Sequence, residues 1–183
     1  MVSRLACTIP VCLVFFTSPA SASDAVELAA RLIGRPYVWG AEGPGAFDCS
    51  GLTQYVYGKV GVELPRRAIG QSKAGDPAGR RLQRGDLLFF SSDVRRSLVT
   101  HVGIYEGAGL MIDASKRHGR VRRDNLTETY WVERFMFARR MTDGAASRKV
   151  SSRSKSPSRP GGDKGTAAIR VLGHIAELLL PRR

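Results

Sequence analysis

Apolar residues recur at helical spacing in the first third of the chain and in short strand-like runs after it. In the first segment Val26, Ala29 and Leu32 share one side, which is the spacing of an amphipathic helix. Because the predicted helices come before the strands and do not alternate with them, the pattern indicates an α+β fold with an antiparallel sheet. The predicted helices are residues 24–32 and 49–57, and the predicted strands are residues 87–90, 100–105, 110–114 and 135–140.

The N-terminal segment has the order of a secretory signal peptide. Arg4 precedes the apolar residues 5–16, and small residues then end in the A-x-A pattern of residues 20–22. This order predicts a signal peptide spanning residues 1–22 and an exported protein, either periplasmic or extracellular at the cell wall. A buried N-terminal helix is the alternative, and the two prolines of the segment disfavour it.

The rest of the chain divides into a body and a basic tail. The body is residues 23–141. Residues 142–165 combine Ser, Arg, Lys, Pro and Gly with almost no apolar side chain, so we expect a disordered linker. Residues 166–183 regain apolar positions at helical spacing, which predicts a short amphipathic helix. That helix either packs back on the body or contacts a partner or a membrane surface.

Charge adds an expectation about partners. The chain carries 29 Lys and Arg against 16 Asp and Glu, a formal net charge of +13. This balance favours contact of the basic tail with an anionic cell-wall polymer or membrane surface. Nucleic acid is not an expected partner, because the arginine pairs of the body are scattered and an exported chain rarely meets it. No apolar run reaches the roughly 18 residues of a membrane-spanning helix.

Cys49 is the one cysteine of the predicted mature chain, since Cys7 and Cys12 lie in the predicted signal peptide. It stands where a glycine-rich loop, residues 41–47, enters a predicted helix. Free N–H groups and the positive dipole end at a helix start favour a thiolate, which is the nucleophilic form of cysteine. A buried structural thiol is the alternative.

Of the two histidines in the body, His101 is better placed for chemistry than His118. His101 begins a predicted strand, whereas His118 lies in a basic stretch that we expect to be a solvated loop. A hairpin that sets Tyr105 opposite Gly109 brings Asp113 opposite His101, where it could orient the imidazole and stabilise its protonated form. The residues therefore suggest a Cys-His-Asp triad, with a satisfied sheet histidine as the alternative.

Five short segments carry a resemblance to a known family. They are residues 34–40 (GRPYVWG), 47–52 (FDCSGL), 64–66 (LPR), 85–90 (GDLLFF) and 101–105 (HVGIY). With these segments the body resembles the NlpC family of bacterial cell-wall cysteine peptidases. The resemblance implies a papain-like fold, with the nucleophile at the start of an N-terminal helix packed on an antiparallel sheet. It also implies hydrolysis of amide bonds in peptidoglycan stem peptides, commonly between D-Glu and a diamino acid.

The resemblance implies roles for single residues. Cys49 matches the nucleophile and His101 the base, and Asp113 matches the third polar residue, at a place where the family more often has His. For the residues implied to contact substrate, a packing or turn role is the alternative. These residues are Tyr37, Asp48, Ser50 and Arg66.

Other function classes stay open at this point. No metal or other cofactor is expected, because Cys49 and His101 lack a close-spaced ligand pair such as C-x-x-C or H-x-x-x-H. A catalytically inactive cell-wall-binding module is one alternative, and the presence of both Cys49 and His101 disfavours it. A papain-like amidase or acyltransferase with a non-wall substrate is the other. Peptidoglycan peptides are the expected partner.

Overall fold

The computed structural model describes residues 22–79 and 81–141, and their architecture is the predicted α+β fold. The helices are α1 (Ala22–Arg31), α2 (Cys49–Lys59), α3 (Ala68–Gln71) and α4 (Thr129–Arg134). The strands are β1 (Asp76–Pro77), β2 (Leu87–Phe90), β3 (His101–Gly107), β4 (Leu110–Ser115), β5 (Arg120–Asn125) and β6 (Phe135–Arg140). The predicted signal peptide (except its last residue), the predicted linker and the predicted C-terminal helix lie outside the described residues, so they stay predictions.

The strands form one antiparallel sheet with the order β1-β6-β2-β3-β4-β5. Strand β2 lies between β6 and β3, and all four of its side chains are buried. In a strand that is covered on both faces, every side chain is buried, so apolar and polar residues do not alternate. This explains why β2 reads as an unbroken apolar run and why its bounds could be predicted from that run.

The two faces of the sheet contact different helices. Alternate residues of β2 belong to different buried clusters, Phe89 to one and Phe90 to the other. The Phe89 cluster also contains Val26 of α1 and Leu52 of α2, whereas the Phe90 cluster contains Trp131 of α4. The sheet is therefore covered by α1 and α2 on one face and by α4 on the other. No helix in the described residues is long and apolar enough to cross a bilayer.

Most predicted elements are present with small changes at their ends, and two substantial elements are additional. The apolar pattern does not predict β5, because its buried positions are Val121 and Asp124 and its other residues are three arginines and an asparagine. It does not predict α4 because that helix has only six residues, too few for a helical period to emerge. Both additional elements border the functional site.

The predicted register of the β3–β4 hairpin is wrong by two residues. Ile104 lies opposite Ile112, not opposite Leu110, and Tyr105 lies opposite Met111. The strands continue to Gly107, since Ala108 and Gly109 both take positive φ values, 50° and 78°, and form a tighter turn than expected. A shift of two residues keeps every side chain on its predicted face, whereas a shift of one would not.

The corrected register places Asp113 diagonally from His101, and a glycine fills the position between them. Continuing the observed pairing sets Gly103 opposite Asp113. A Cβ atom at Gly103 would lie 2.8 Å from Met111 Sδ and 3.3 Å from Asp113 Cβ. The absence of a side chain at Gly103 thus leaves room for Asp113 to approach the imidazole.

Candidate active site

Cys49 is the first residue of α2, and the loop before it is held tightly against the helix start. Asp48 caps the helix, with its Oδ1 accepting a 2.6 Å hydrogen bond from the Gly51 N–H. A side chain at Gly51 would collide with the carbonyl oxygen of Ala41. The cap and the small residue together orient the first turn, so the Cys49 side chain meets the dipole end of α2.

His101 lies between Cys49 and Asp113. Its Nε2 is 2.9 Å from Asp113 Oδ2, and the Cys49 thiol is near enough to the imidazole for each group to shift the pKa of the other. Since Nε2 faces Asp113, the ring nitrogen left for Cys49 is Nδ1. Asp113 has no solvent exposure, whereas Cys49 and His101 line the wall of a pocket. The structure therefore brings the three predicted residues together in one row; their catalytic roles stay predictions.

The contact between Cys49 and His101 shifts both ionisations in the same sense. Burial alone would raise the pKa of the Cys49 thiol, but the hydrogen bond and charge of His101 outweigh it, and the net pKa is lowered. Burial alone would lower the pKa of His101, but its hydrogen bonds to Asp113 and Cys49 outweigh burial and raise that pKa well above its usual range. The pair is thus suited to exist as thiolate and imidazolium near neutral pH.

Trp131 covers the imidazole ring, and sequence reasoning did not identify it. Its ring is stacked on His101, with centroids 5.4 Å apart and planes inclined by 26°. Phe90 lies on the same histidine at 6.1 Å. These apolar rings limit the rotation of His101 and keep water from one side of it. The sequence signal that could have indicated an aromatic residue near the site was the adjacent pair Tyr130 and Trp131, just before the last predicted strand.

A second buried carboxyl group, that of Asp124, adjoins Asp113. Asp124 is 1% exposed and Asp113 is 0% exposed, and the two lie on the neighbouring strands β5 and β4. Arg122 Nε is 2.8 Å from Asp124 Oδ1. Burial, together with the charge and hydrogen bond of Asp113, raises the pKa of Asp124 to about 7. If both carboxyl groups ionised, two negative charges would lie close together. The pair therefore tends to keep one proton.

Replacing Asp124 with asparagine is expected to remove a pH dependence of stability. The folded pKa of about 7 lies above the unfolded value of about 3.9. Between these values the folded protein keeps a proton that the unfolded chain releases, so the free energy of unfolding falls as pH rises. Thermal unfolding should show Tm falling from pH 5 to pH 8 more steeply in the wild type than in Asp124→Asn. Asp76→Asn, at an exposed carboxylate, is the control; parallel curves for wild type and Asp124→Asn would contradict the expectation.

The four residues implied to contact substrate divide into a network and a single tyrosine. The Arg66 guanidinium binds Asp48 through Nη2–Oδ2 at 2.6 Å and Nη1–Oδ1 at 3.0 Å, and it donates to Ser50 Oγ at 3.1 Å. Arg66 Nε also binds Glu42 Oε1 at 2.8 Å, a partner that sequence reasoning missed. Burial opposes ionisation of Asp48, but Arg66 and two backbone N–H groups outweigh it and lower the pKa of Asp48.

Tyr37 lies apart from that network, on the pocket wall with Cys49. Burial, then the charges of Cys49 and Asp48, raise the pKa of Tyr37 to about 12. Its hydroxyl therefore stays protonated beside the thiolate and can donate a hydrogen bond. For Tyr37 and for the Arg66 network, contact with substrate stays a prediction.

The pocket beside Cys49 and His101 has a volume of about 280 Å³. Aromatic rings and hydroxyl groups form most of its wall, and two cationic side chains, Lys116 and Arg117, complete it. Among the described residues, no group of three or more His, Cys, Asp and Glu side chains is arranged to hold a metal ion. The arrangement is one in which a thiolate can attack a carbonyl carbon and an imidazolium can protonate the departing group.

Comparison with known proteins gives one family and several relatives. The model of the NlpC/P60 family matches residues 34–140. A Corynebacterium glutamicum protein named "probable endopeptidase" is 50% identical over 97 residues, which cover 52% of this chain and 44% of that protein. The gamma-D-glutamyl-L-lysine dipeptidyl-peptidase of Bacillus cereus is 34% identical over 121 residues, which cover 66% of this chain and 36% of that protein.

A solved structure shows that the likeness extends to the three-dimensional structure of about two thirds of the chain. The NlpC/p60 domain of the peptidoglycan hydrolase SagA has a TM-score of 0.57 and 33% identity, and the match covers 66% of this chain and 99% of that domain. Against the two full-length relatives, by contrast, the chain spans less than half of their length.

Proposed function

Because the chain belongs to the NlpC/P60 family, we propose that it is an exported cysteine endopeptidase that hydrolyses amide bonds in peptidoglycan stem peptides. The proposed bond joins D-Glu to a diamino acid. The observation that carries the proposal is the row of Cys49, His101 and Asp113: the first two line one pocket, and the buried Asp113 Oδ2 lies 2.9 Å from His101 Nε2. The proposed chemistry does not depend on residues 1–22. The export part is supported by the order of charged, apolar and small residues in that segment.

The first step is acylation of Cys49. The thiolate attacks the carbonyl carbon of the scissile amide, and the carbonyl oxygen takes up the negative charge. The backbone N–H of Cys49, in the first turn of α2, is a donor that intrahelical bonds leave free, so it can stabilise that oxygen. Collapse of the intermediate breaks the C–N bond while the His101 imidazolium gives its proton to the departing nitrogen. The products are a thioester on Cys49 and a free amine.

The second step releases the acyl part. The neutral His101 takes a proton from water as the water oxygen attacks the thioester carbon. The C–S bond then breaks, which returns Cys49 as a thiolate and His101 as an imidazolium. Asp113, fully buried and 2.9 Å from Nε2, stabilises the imidazolium and keeps the ring oriented through both steps. A proton transfer of this kind contributes about 10²–10⁴-fold to the rate.

The choice of bond draws on the relatives. One of them carries the name gamma-D-glutamyl-L-lysine dipeptidyl-peptidase, and a structural neighbour is a peptidoglycan hydrolase. An inactive wall-binding module would have no use for a thiol and an imidazole that line one pocket, with a buried carboxylate 2.9 Å from the imidazole. The geometry therefore supports the peptidase over that alternative.

Mass analysis of digested peptidoglycan tests the proposal. Purified peptidoglycan incubated with the wild-type protein should yield fragments with a new amine on the diamino acid, and Cys49→Ala should yield none. Cleavage at another amide would contradict the choice of bond, and no cleavage would contradict the peptidase itself. Protein recovered from outside the cytoplasm should begin at Ser23, which tests the export part.

A further inference from the structure

The pocket beside the nucleophile has a one-sided charge. Its charged lining residues beyond the Cys49–His101 pair are Lys116 and Arg117, both exposed on the turn between β4 and β5, and no carboxylate is among the described residues that line it. Hydroxyl donors, among them Ser92 and Thr100, form the adjoining wall. Cations and hydroxyl donors around a cavity without acidic groups favour an anionic ligand.

Aromatic rings hold both cations at the pocket rim. Lys116 Nζ lies 5.9 Å from the centroid of the Trp39 ring, and Arg117 Cζ lies 5.1 Å from the centroid of Tyr130. These contacts limit the conformations of two long side chains before any ligand arrives, which reduces the entropy that binding must remove. Trp39 is 79% exposed, so the Lys116 contact lies at the open mouth of the pocket.

The electrostatic potential at this turn is positive, and a residue other than Lys116 and Arg117 contributes to it. Slight burial, then the charges of Arg122 and Arg117, lower the pKa of His118. Protonation of His118 is thus opposed by the same field that would attract an anion. Of these two arginines, Arg117 lines the pocket, whereas Arg122 lies on β5 and pairs with Asp124.

The His101 side of the pocket is where the leaving part of the substrate lies. His101 gives its proton to the departing nitrogen, so that nitrogen lies at the edge of the imidazole ring, beside the nitrogen that donates the proton. A continuous ring path joins the imidazole to one cation: Trp131 is stacked on His101, Tyr130 contacts Trp131 at 4.8 Å, and Arg117 lies over Tyr130. Arg117 thus lies at the end of the ring path that starts at the imidazole, and both residues line the same pocket.

We infer that Lys116 and Arg117 bind a free carboxylate on the leaving fragment of the substrate and so select acidic stem peptides over amidated ones. The inference rests on the proposed function. In a stem peptide cut between D-Glu and a diamino acid, the leaving fragment begins with the diamino acid and carries the remaining free carboxylates of the peptide. Arg117 can bind a carboxylate through two parallel N–H···O bonds, with Lys116 as a second, single-point donor.

Synthetic tetrapeptides of the form Ala-γ-D-Glu-diamino acid-D-Ala test the inference. One pair differs only in whether the carboxylates of the leaving fragment are free or amidated, and a second pair differs only at the α-carboxylate of D-Glu. KM and kcat are measured with the wild type, with Lys116→Gln/Arg117→Gln, and with the control Arg31→Gln/Lys73→Gln, which removes two exposed cations elsewhere. NMR titration of the peptides into Cys49→Ala measures affinity without turnover.

For the wild type and the control, we expect amidation of the leaving fragment to raise KM and the titrated Kd about tenfold, equivalent to about 1.4 kcal/mol, with kcat changed less than twofold. The Lys116→Gln/Arg117→Gln protein should bind both forms with the weaker affinity and the same Tm as the control. The wild-type preference should shrink in 0.5 M NaCl, because salt screens exposed charges.

Three other outcomes are informative. Equal affinity of the wild type for the free and amidated leaving fragments would overturn the inference. A preference that follows the D-Glu α-carboxylate would overturn the assignment of the cations to the leaving side. If no peptide is cleaved while Cys49→Ala still distinguishes the leaving-fragment pair, the carboxylate site stands and the proposed peptidase activity fails.

Discussion

Cys49→Ala is expected to fold and to release no measurable amine from a peptidoglycan stem peptide. Cys49 is the nucleophile of the proposed mechanism. Without its thiol, no thioester intermediate forms, so there is none for His101 to help hydrolyse. Loss of a catalytic nucleophile reduces kcat by about 10⁴–10⁶-fold in hydrolases that form covalent intermediates. The measurement is amine release from a defined peptide, with a thermal unfolding curve for the same preparation.

Two further variants separate nucleophilic from structural roles of this thiol. Cys49→Ser keeps the size and the hydrogen-bonding capacity of the side chain, yet it should be nearly as inactive, because a serine hydroxyl beside His101 does not ionise as a thiol does. In the unprocessed chain, Cys7→Ala/Cys12→Ala removes the other two thiols and should leave the rate unchanged. A Cys49→Ala protein with a rate within tenfold of the wild type would end the covalent mechanism.

His101→Gln has the second largest expected effect, and it acts on the reactivity of Cys49 as well as on turnover. The hydrogen bond and charge of His101 are what lower the pKa of the thiol against its burial. Without them the pKa rises toward or above the ordinary value of about 8.5, so the thiolate population at pH 6 falls. Alkylation of Cys49 by iodoacetamide should therefore require higher pH in the variant, and kcat should fall by at least about 10³-fold.

The matched control for this variant is His118→Gln. His118 is an exposed imidazole on the β4–β5 turn, bonded to Ser115 Oγ at 3.0 Å. Its replacement should leave the alkylation profile of Cys49 unchanged. Superimposable alkylation profiles for the wild type and His101→Gln would mean that the imidazole does not stabilise the thiolate, and the ion-pair mechanism would be wrong.

Local signals were sufficient to predict most of the fold. The unbroken apolar run 87–90 predicts a strand covered on both faces, and β2 is that strand. The glycine-rich loop before Cys49 predicts a helix start, and α2 begins at that residue. These signals are local because periodicity, loop composition and helix capping depend on residues within one or two turns of each other. Strand β5 was missed because its burial includes Asp124, which no apolar pattern predicts.

The hairpin shows where local reasoning ends. The pairing of apolar residues in β3 and β4 is satisfied by two registers that differ by two residues, since both keep the same faces buried. The choice between them depends on the backbone of Ala108 and Gly109, which both take positive φ, and on the space left by Gly103. Asp113 lies on the same face of the sheet as His101 in either register, so the predicted pairing of these two residues did not depend on the error.

By itself the sequence determined the order of the helices and strands, the position of Cys49 at a helix start and the strands that carry His101 and Asp113. Only the tertiary structure decided what surrounds them: Trp131 stacked on the imidazole, Asp124 beside Asp113, Arg66 joined to Asp48, and two cations at the pocket rim. The physical reason is that helix and strand formation depends on near neighbours in the chain. A pKa, a stacked ring or a charged rim depends on side chains from elements far apart in sequence, and those meet only when the sheet and helices pack.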